Sequence, residues 1–461
     1  MNRSWQWFPF GAVLLGGVLL APAAEARLWT AAARDGAAAG AIAAAASGDT
    51  VLLERGVHPG PLRIAGKLLV LRGAPGAVVD GGGRGSVLEI GASGSVVEDL
   101  ELQDSGSRVI TTDAGVRVIG AQHVLLRHLR LSDVLYGIYA ERADSMRIRD
   151  CVLTGRVRPL DESGEGNGIH LWYCGGVELA GNQVSRFLDG IYLSFANGTR
   201  VERSRLEQNG RYGLHTMYCQ ENRFVANVLT RNVAGVAIMF SNHLEVERNT
   251  IVHNRGPRTY GLLLRDCSDG RFLDNRLVDN TIAVFLDGSN RNLFRGNLYQ
   301  DNGWGVLLFS SSAGNVWAGN DFLHNDYPVA LDMRFTRNQF DDGERGNYWS
   351  EAETYDLDGD GLSDIPFGPV TAFAFVSKQY PDLSVLAKSP AVAALGVAER
   401  VFPSLRPSEA VDRHPTMRPS SGGSLPAGES SGPARPAWGY GAGFALLGLL
   451  GLWGVSQGRR S

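Results

Sequence analysis

The stretch GIHLWYC at 168–174 recurs along the chain, as GIYLSFA at 190–196, GLHTMYC at 213–219, GVAIMFS at 235–241 and GLLLRDC at 261–267. Each copy opens with a small residue and then alternates apolar with other residues, which is the period of a β-strand. The copies start mostly 22 or 23 residues apart, with one longer step of 26. Short strands at this spacing predict an all-β fold, a right-handed parallel β-helix with one repeat per coil.

A polar position recurs fourteen residues after each start. In stacked coils these side chains come into register, so we expect neighbouring amides to hydrogen-bond along the stack. A leucine-rich repeat has a similar period but carries more leucine and lacks this polar position. The pattern therefore favours the β-helix, and the residues that carry it are Asn182, Ser204, Asn227, Asn249, Asn275 and Asn297.

Composition narrows the function classes. The chain has 461 residues, 44% hydrophobic and 20% charged, with a net charge of −4. The apolar fraction excludes wholesale disorder, and the mild negative charge gives no electrostatic case for binding nucleic acid. Four cysteines in so long a chain do not make a disulfide scaffold.

Both ends of the chain carry apolar segments. An apolar run at 8–21 followed by Ala-Glu-Ala predicts a secretory signal peptide over 1–26. A second run at 438–455 is long enough to cross a bilayer, although a removable sorting tail would look the same. The Pro/Ser/Gly-rich stretch at 403–437 predicts an extended linker. We therefore expect a periplasmic protein anchored to the inner membrane by its C-terminal segment.

Between these ends, we expect the β-helix over 27–350 and a capping region with an Asp-rich loop over 351–402. A solenoid needs its two ends covered. The Ala-rich stretch at 29–46 predicts a helix that closes the N-terminal end, and the helical pattern at 378–402 predicts a cover for the other end.

The strand period sorts the side chains of each coil. Positions +1 and +3 after the start are aliphatic and should fill the interior, so that positions +2 and +4 face solvent. Two insertions, at 155–167 and 255–260, precede coil starts and should overhang the same corner, which is a common place for a binding rim. The notable residues at the outward positions and in the later coils are His170, Trp172, Tyr192, His215, Met217, Met239 and Met333.

These coils, together with NYWSEAETYDLDGDGLSDIPF at 347–367 and KQYPDLSVLAKSP at 378–390, closely resemble the NosD family. NosD proteins are periplasmic β-helix accessory proteins that work beside an ABC transporter in copper-site maturation of nitrous-oxide reductase. The resemblance covers residues 45 to 420. It implies a non-enzymatic role in denitrification with transient Cu(I), and as partners ABC transporter subunits, a copper-donor chaperone and nitrous-oxide reductase. The C-terminal membrane segment departs from the family pattern.

Soft ligands on the outward face suggest where copper could bind. Cu(I) prefers thioether, thiolate and imidazole ligands. His215 and Met217 lie two apart on one strand, and Met239 lies one coil on, about 4.8 Å away. These three side chains could converge on one ion. His170 is a further candidate, although it lies two coils from His215 and could not share an ion with it, and Cys219 is a minor one.

A second interpretation of the same strip is a hydrophobic docking surface. Methionines and aromatic rings on one face of a solenoid would suit a partner protein as well as an ion. Trp172 and Tyr192 are the candidate docking residues.

The cysteines are expected to be buried free thiols. Cys174, Cys219 and Cys267 all lie at position +6, but alternate coils separate them. Two coils span about 9.6 Å, which exceeds the ~7 Å limit between the Cα atoms of a disulfide. Cys151 falls at the recurring polar position and should pack within that ladder.

An Asp-rich loop is a candidate calcium site. Asp356, Asp358, Asp360 and Asp364 match the EF-type ligand positions 1, 3, 5 and 9, with glycine at position 6. Position 12 is Phe367 rather than glutamate, so the loop is not a complete EF loop. A structural calcium ion is favoured over a tight Asp/Gly turn held by side-chain-to-backbone bonds.

Two other function classes remain open. Parallel β-helices commonly act on polysaccharides as lyases, epimerases or hydrolases, chemistry that needs convergent carboxylates. The outward positions supply only isolated acids such as Asp287, and the Asp-Pro-His-Asp signature of alginate epimerases is absent. We therefore expect no catalytic residues. A surface scaffold is the third class.

Overall fold

The computed structural model describes residues 26–380, 383, 386, 389–402 and 409–420. The predicted signal peptide, but for its last residue, and the predicted membrane segment at 438–455 lie outside these residues. Within the described part, none of the helices has the length and apolar character needed to cross a bilayer.

The described residues wind into a right-handed parallel β-helix of three sheets with thirteen, twelve and thirteen strands, as the repeat predicted. Each coil adds one strand to each sheet, and neighbouring strands pair in parallel. In the coil that follows residue 188, for example, the strands Asp189–Ser194, Arg200–Glu202 and Arg205–Glu207 enter the three sheets in turn.

The strand bounds follow the repeat closely. Sheet A contains Leu28–Ala31, Thr50–Leu53, Val70–Gly73, Val96–Glu98, Leu125–Arg127, Arg147–Arg149, Glu178–Ala180, Arg200–Glu202, Arg223–Val225, Glu245–Glu247, Arg271–Leu273, Leu293–Arg295 and Val316–Ala318. Sheet B contains Gly56–Pro59, Ala77–Asp80, Glu101–Gln103, Arg130–Val134, Val152–Gly155, Gln183–Ser185, Arg205–Glu207, Val228–Thr230, Thr250–Val252, Arg276–Val278, Leu298–Gln300, Asp321–Leu323 and Tyr348–Trp349. Sheet C contains Leu62–Ile64, Leu88–Ile90, Ala114–Ile119, Tyr136–Glu141, Ile169–Trp172, Asp189–Ser194, Tyr212–Met217, Ala234–Met239, Tyr260–Arg265, Ile282–Asp287, Trp304–Leu308 and Tyr327–Leu331.

The interior is one continuous apolar core. Residues at positions +1 and +3, such as Ile191, Leu193 and, one coil on, Leu214, are fully buried and stack in register. Burying such a side chain contributes about 1.5–3 kcal/mol. The predicted assignment of +1 and +3 to the interior is therefore confirmed.

Asparagine ladders close one corner of the coils, as the recurring polar position predicted. The Nδ2 of Asn227 donates to Oδ1 of Asn249 at 2.9 Å, and Asn249 repeats the contact with Asn275 at 3.0 Å. These amides are buried, so the ladder satisfies polar groups that would otherwise be costly. A further ladder was not anticipated, although asparagine recurs in the sequence at +19, or at +20 in the last of these coils: Asn209, Asn232, Asn254, Asn280, Asn302 and Asn325.

The N-terminal helix is shorter than predicted. Only Ala37–Ala44, here α1, is helical, and Trp29 lies in a strand that pairs with Thr50–Leu53. The Trp29 indole donates to Asp49 at 2.8 Å, which holds this segment in the sheet. Gly36 adopts a left-handed φ of 72° and interrupts a right-handed helix at that point.

The C-terminal region has one helix inside the stretch predicted at 378–402 and a second helix that lies mostly before it. They are α2, Ala372–Gln379, and α3, Pro390–Val401, each capped by a hydroxyl side chain. We expected them to cover the end of the solenoid, but α2 packs against the outer face of sheet C, where Phe373 stacks on Tyr327 at 5.7 Å. That outer face is apolar in the last coils, so a helix buries more surface there.

The prediction of an extended linker over 403–437 is wrong for residues 409–420. They cover the C-terminal end of the β-helix and pair antiparallel with Leu362 and Phe367. The Asp412 carboxylate is buried and accepts from the Asn347 backbone at 2.7 Å and the Trp349 indole at 2.8 Å. These donors need a partner when they are buried, and Asp412 supplies it.

Candidate functional site

Four of the five candidate copper residues, all except Cys219, lie on the outer face of sheet C, where position +2 of successive coils forms a ring stack. His170, Tyr192 and His215 are neighbours in register, with ring centroids 4.7 and 4.6 Å apart. Tyr192 therefore separates the two histidines. They lie two coils apart, as predicted, and cannot ligate one ion together.

His215 is not the solvent-facing residue that its position predicted. Its side chain points away from the interior, yet only 4% of the residue is exposed. Tyr192 stacks on the imidazole, and Tyr212 meets it edge-on at 4.9 Å. The large rings of adjacent positions cover the imidazole, so a residue that faces outward from the coil is still buried.

Asp189, which the sequence analysis did not single out, organises this site. Its Oδ2 accepts from His215 Nδ1 at 2.9 Å, and the guanidinium of Arg211 binds both carboxylate oxygens at 2.9 and 2.7 Å. Burial raises the pKa of Asp189, but the bonds from His215 and Arg211 outweigh it and hold that pKa below its usual range. A signal for Asp189 was present in the sequence. This acid directly precedes a coil start, whereas the next two coils have Tyr212 and Ala234 at the same position.

The Asp189 carboxylate fixes one ring nitrogen of His215 and leaves the other free. Because Asp189 is ionised, Nδ1 of His215 donates to it. Nε2 is buried and has no hydrogen-bond partner. In the neutral imidazole this atom carries a lone pair, which is the arrangement of a carboxylate–histidine–metal triad. The residues present therefore fit a soft metal ligand at Nε2.

The two methionines lie next to this histidine. Met217 and Met239 are directly paired in adjacent strands, and both are partly buried. The hydroxyl of Tyr192 donates to the Met217 sulfur at 3.4 Å, while its ring stacks on His215. Tyr192 thus contacts both a thioether and the imidazole of the predicted set.

The other two copper candidates do not join this set. Burial lowers the pKa of His170 to about 4, so the ring is neutral, and Nδ1 lies 3.3 Å from the Asn167 amide. Cys219 belongs to the interior core, where its thiol contacts the carbonyls of Leu193 and Met217. Burial raises its pKa to about 11, which disfavours the thiolate that copper needs.

The four cysteines are buried and free, as predicted. One coil lies between each of these cysteines and the next, in the order Cys174, Cys219 and Cys267. The coil between Cys219 and Cys267, for example, contains Ser241, whose hydroxyl accepts from the Cys219 backbone N–H. Cys151 donates its backbone N–H to Asn182 at 3.1 Å and so belongs to the polar ladder.

The Asp-rich loop gathers three of its four predicted calcium ligands. The carboxylates of Asp356, Asp358 and Asp360 have ligand atoms within 4.8 Å of one another. Asp364 instead accepts from the Leu357 backbone at 2.7 Å. Asp356 also accepts from two glycine N–H groups at 2.6 and 3.0 Å, so the loop is held by side-chain-to-backbone bonds as well.

Comparisons with known proteins show the family of this chain. A family described as "Periplasmic copper-binding protein (NosD)" matches residues 154–354. A Pseudomonas aeruginosa protein named "Probable ABC transporter binding protein NosD" is 32% identical over 77% of this chain and 86% of its own length. This chain belongs to the NosD family. A Stutzerimonas stutzeri protein of the same name is 30% identical over 76% of this chain and 82% of its own.

Among solved structures, this NosD-family chain is similar to the A-module of a mannuronan C-5 epimerase from Azotobacter vinelandii. The TM-score is 0.52 at 17% identity, with 64% of this chain and 92% of the module covered. At that identity the likeness shows the parallel β-helix fold alone.

The NosD match encloses Asp189, His215, Met217 and Met239 and ends before the Asp-rich loop. It also encloses the insertion at 155–167, which crosses the corner between sheets B and C. There the Leu160 backbone bonds to Asn209 at 3.4 Å, so the insertion reaches the coil that leads into Tyr212.

The shorter insertion at 255–260 lies at the same corner. The Gly256 backbone donates to the Thr281 hydroxyl at 3.1 Å.

The two predicted docking residues differ in exposure: Trp172 is exposed, whereas Tyr192 is partly buried between the two histidines. Met333 is exposed beyond the last strand of sheet C.

Proposed function

We propose that this NosD-family protein handles Cu(I) outside the inner membrane for copper-site maturation of nitrous-oxide reductase. The family description as a periplasmic copper-binding protein supports the metal and the compartment. The name of the two relatives supports an association with an ABC transporter. A copper-donor chaperone and the reductase would be the further partners, and the C-terminal segment would hold the protein at the membrane.

One observation carries the copper proposal: His215 is buried, its Nδ1 is fixed by Asp189, and its Nε2 has no partner. A neutral imidazole and two thioethers bind Cu(I) without losing a proton. Met217 and Met239 supply the thioethers on the same face.

The test is copper loading of the reductase in cells that make a ligand variant. In the variant His215→Gln/Met217→Leu/Met239→Leu, the Gln amide can still donate to Asp189 and leucine conserves the methionine volume. We expect Cu(I) binding to weaken by more than about a hundredfold, since loss of a partner behind the ligands alone costs 10–100-fold, and the reductase to have a clearly lower copper content by elemental analysis.

The matched control replaces His243→Gln and Met333→Leu, because both residues are exposed and lie away from Asp189. This control should load the reductase fully. If the ligand variant folds and also supports full loading, the copper site lies elsewhere, and the insertion at 155–167 is the next place to look.

A carbohydrate-active enzyme is the alternative, and the site gives it little support. A lyase or epimerase needs a free base and acid near a sugar. Both oxygens of Asp189 are bonded, and the Tyr192 hydroxyl donates to Met217. Burial also raises the pKa of Tyr192, which disfavours its use as a base. We therefore propose a non-enzymatic role.

We also propose a structural calcium ion at Asp356, Asp358 and Asp360. Three carboxylates in so small a volume repel one another, and a divalent cation would neutralise them.

A further inference from the structure

Four exposed aromatic rings stack along one corner of the β-helix, at position +5 of successive coils. We refer to Tyr173, Phe195, Tyr218 and Phe240 as the aromatic ladder. Successive rings are nearly parallel, at 6–13°, and their centroids lie 4.7–5.1 Å apart. Each residue is between 38% and 46% exposed. The ladder is therefore a continuous apolar edge in contact with solvent.

The fold does not require aromatic residues here. All four have φ between 50° and 55°, a left-handed conformation that is unfavourable for bulky side chains. The same turn is formed by Arg142 in an earlier coil and by Asp266 and Gly288 in later ones. Aromatic residues thus occupy this turn only in the four coils that also carry the residues from His170 to Met239, which points to a functional reason.

The geometry of the ladder indicates which kind of molecule it binds. Its inner rings, Phe195 and Tyr218, are covered on both faces by their neighbours, and the Arg142 guanidinium lies 5.8 Å from the Tyr173 ring at one end. A sugar or a nucleobase stacks on a free ring face, and the inner rings of the ladder offer none. What remains is a row of ring edges, which suits a flat apolar protein surface.

The size of the patch indicates a short-lived complex. The ladder and Trp172 together expose roughly 400 Å², taking about 200 Å² for each aromatic side chain and two-fifths of it exposed. A stable interface buries about 800 Å² per partner. The patch is half of that, so it fits transient docking better than a permanent dimer or subunit contact.

The ladder runs alongside the candidate copper ligands. Met217 and Met239 directly precede Tyr218 and Phe240 in the chain, and both methionines are partly exposed, whereas His215 is buried. A protein seated on the ladder would therefore meet the thioethers first and the imidazole last. This order of exposure suits delivery of an ion into the site.

We propose that the aromatic ladder is the docking face for a protein that delivers Cu(I), one whose own metal site is surrounded by apolar side chains. The proposal rests on the proposed copper function. It adds the surface, the direction of transfer and the chemistry of the partner.

The experiment places a photocrosslinking phenylalanine analogue at position 218 of the full chain in living cells and identifies the protein that crosslinks. That protein is then purified and loaded with one Cu(I), and transfer to the wild type is timed. In the variant Phe195→Asn/Tyr218→Asn, asparagine tolerates the left-handed turn and so preserves the fold. We expect about tenfold slower transfer to this variant, since aromatic anchors dominate such interfaces.

The matched control, Phe335→Asn/Tyr355→Asn, removes two exposed rings away from the ladder and should accept copper at the wild-type rate. Cu(I) affinity measured against a small-molecule chelator should be equal in all three proteins. Unchanged transfer to the ladder variant with Cu(I) binding intact would overturn the docking proposal alone. A crosslink to a second copy of this chain would overturn it as well. Failure of the wild type to take Cu(I) from the chelator would instead contradict the proposed copper function, on which the docking proposal rests.

Discussion

At the scale of single residues, the group formed by Asp189, Arg211 and His215 decides how the outer face of sheet C is built. One buried carboxylate satisfies the buried imidazole of His215 and the partly exposed guanidinium of Arg211. Such a group is costly to break because the remaining charge stays buried without a partner. The same group sets the tautomer of His215 and hence the atom that can bind a metal.

Replacing Asp189→Asn should lower both stability and copper affinity. The amide removes the charge that the partly exposed Arg211 and the buried His215 bind, so the free energy of unfolding in urea should fall by about 2–3 kcal/mol. Cu(I) affinity should fall 10–100-fold because the imidazole loses its orientation. The control is Asp269→Asn, which breaks an exposed pair with Arg291 and should cost about 1 kcal/mol or less. Equal losses in the two variants would contradict the central role of Asp189.

His170 should make stability depend on pH. Its folded-state pKa of about 4 lies below the ordinary value of 6.5, mainly because the ring is buried. Between these values the unfolded chain binds more protons, so this contribution is present above pH 6.5 and is lost as the pH falls towards 4. The loss is at most about 3 kcal/mol.

Urea unfolding of wild type and His170→Phe between pH 4 and 7 checks this dependence. Phenylalanine keeps the ring stack but does not titrate, so the variant should lose less stability on acidification. His243→Phe, at an exposed position, should follow the wild type. Parallel pH profiles for wild type and His170→Phe would contradict the assignment.

At the scale of elements, the Asp-rich loop is the segment whose conformation a bound ion would stabilise. Calcium at a hundredfold excess over its Kd should stabilise the protein by about 2.7 kcal/mol, and a chelator should remove the effect. The measurement is the Tm with and without calcium, in wild type and in Asp356→Asn/Asp358→Asn/Asp360→Asn. If calcium leaves the wild-type Tm unchanged, the loop is a turn held by its own backbone bonds.

At the scale of the whole molecule, the docked segment 409–420 shortens the predicted tether to the membrane. Only residues 421–437 separate Ser420, whose backbone bonds to Asp321 at 3.0 Å, from the predicted membrane segment. A chain of that length reaches at most about 60 Å. If that segment spans the membrane, the end of the β-helix that carries Ser420 stays within this distance of the bilayer.

The tether itself can be tested by fractionation. Full-length protein should sediment with membranes, and a chain ending at residue 436 should be released, because the apolar segment at 438–455 would be missing. A chain that keeps the segment but lacks 421–430 serves as the control and should stay bound. Retention of the truncated chain on membranes would show that a partner protein holds it there.

The periodic features could be predicted from the sequence because a solenoid encodes its contacts in its repeat. A residue in one coil meets its equivalent about 22 positions later, so the interior aliphatic positions, the ladder from Asn227 to Asn275 and the separation of Cys174 from Cys219 all follow from spacing. Hydrophobic burial on one face of each strand then leaves a single register.

Only the tertiary structure decided the burial and the long-range partners of these residues. Both depend on the size of neighbouring side chains or on distant parts of the chain. Strand period places His215 on the outer face, but the rings of Tyr192 and Tyr212 bury it, and period carries no information about that cover. Asp412 binds Asn347 across 65 residues, outside any repeat. Burial and long-range pairing are properties of the packed molecule, so the sequence alone determined the coil and its register, and only the fold determined the environment of the copper candidates.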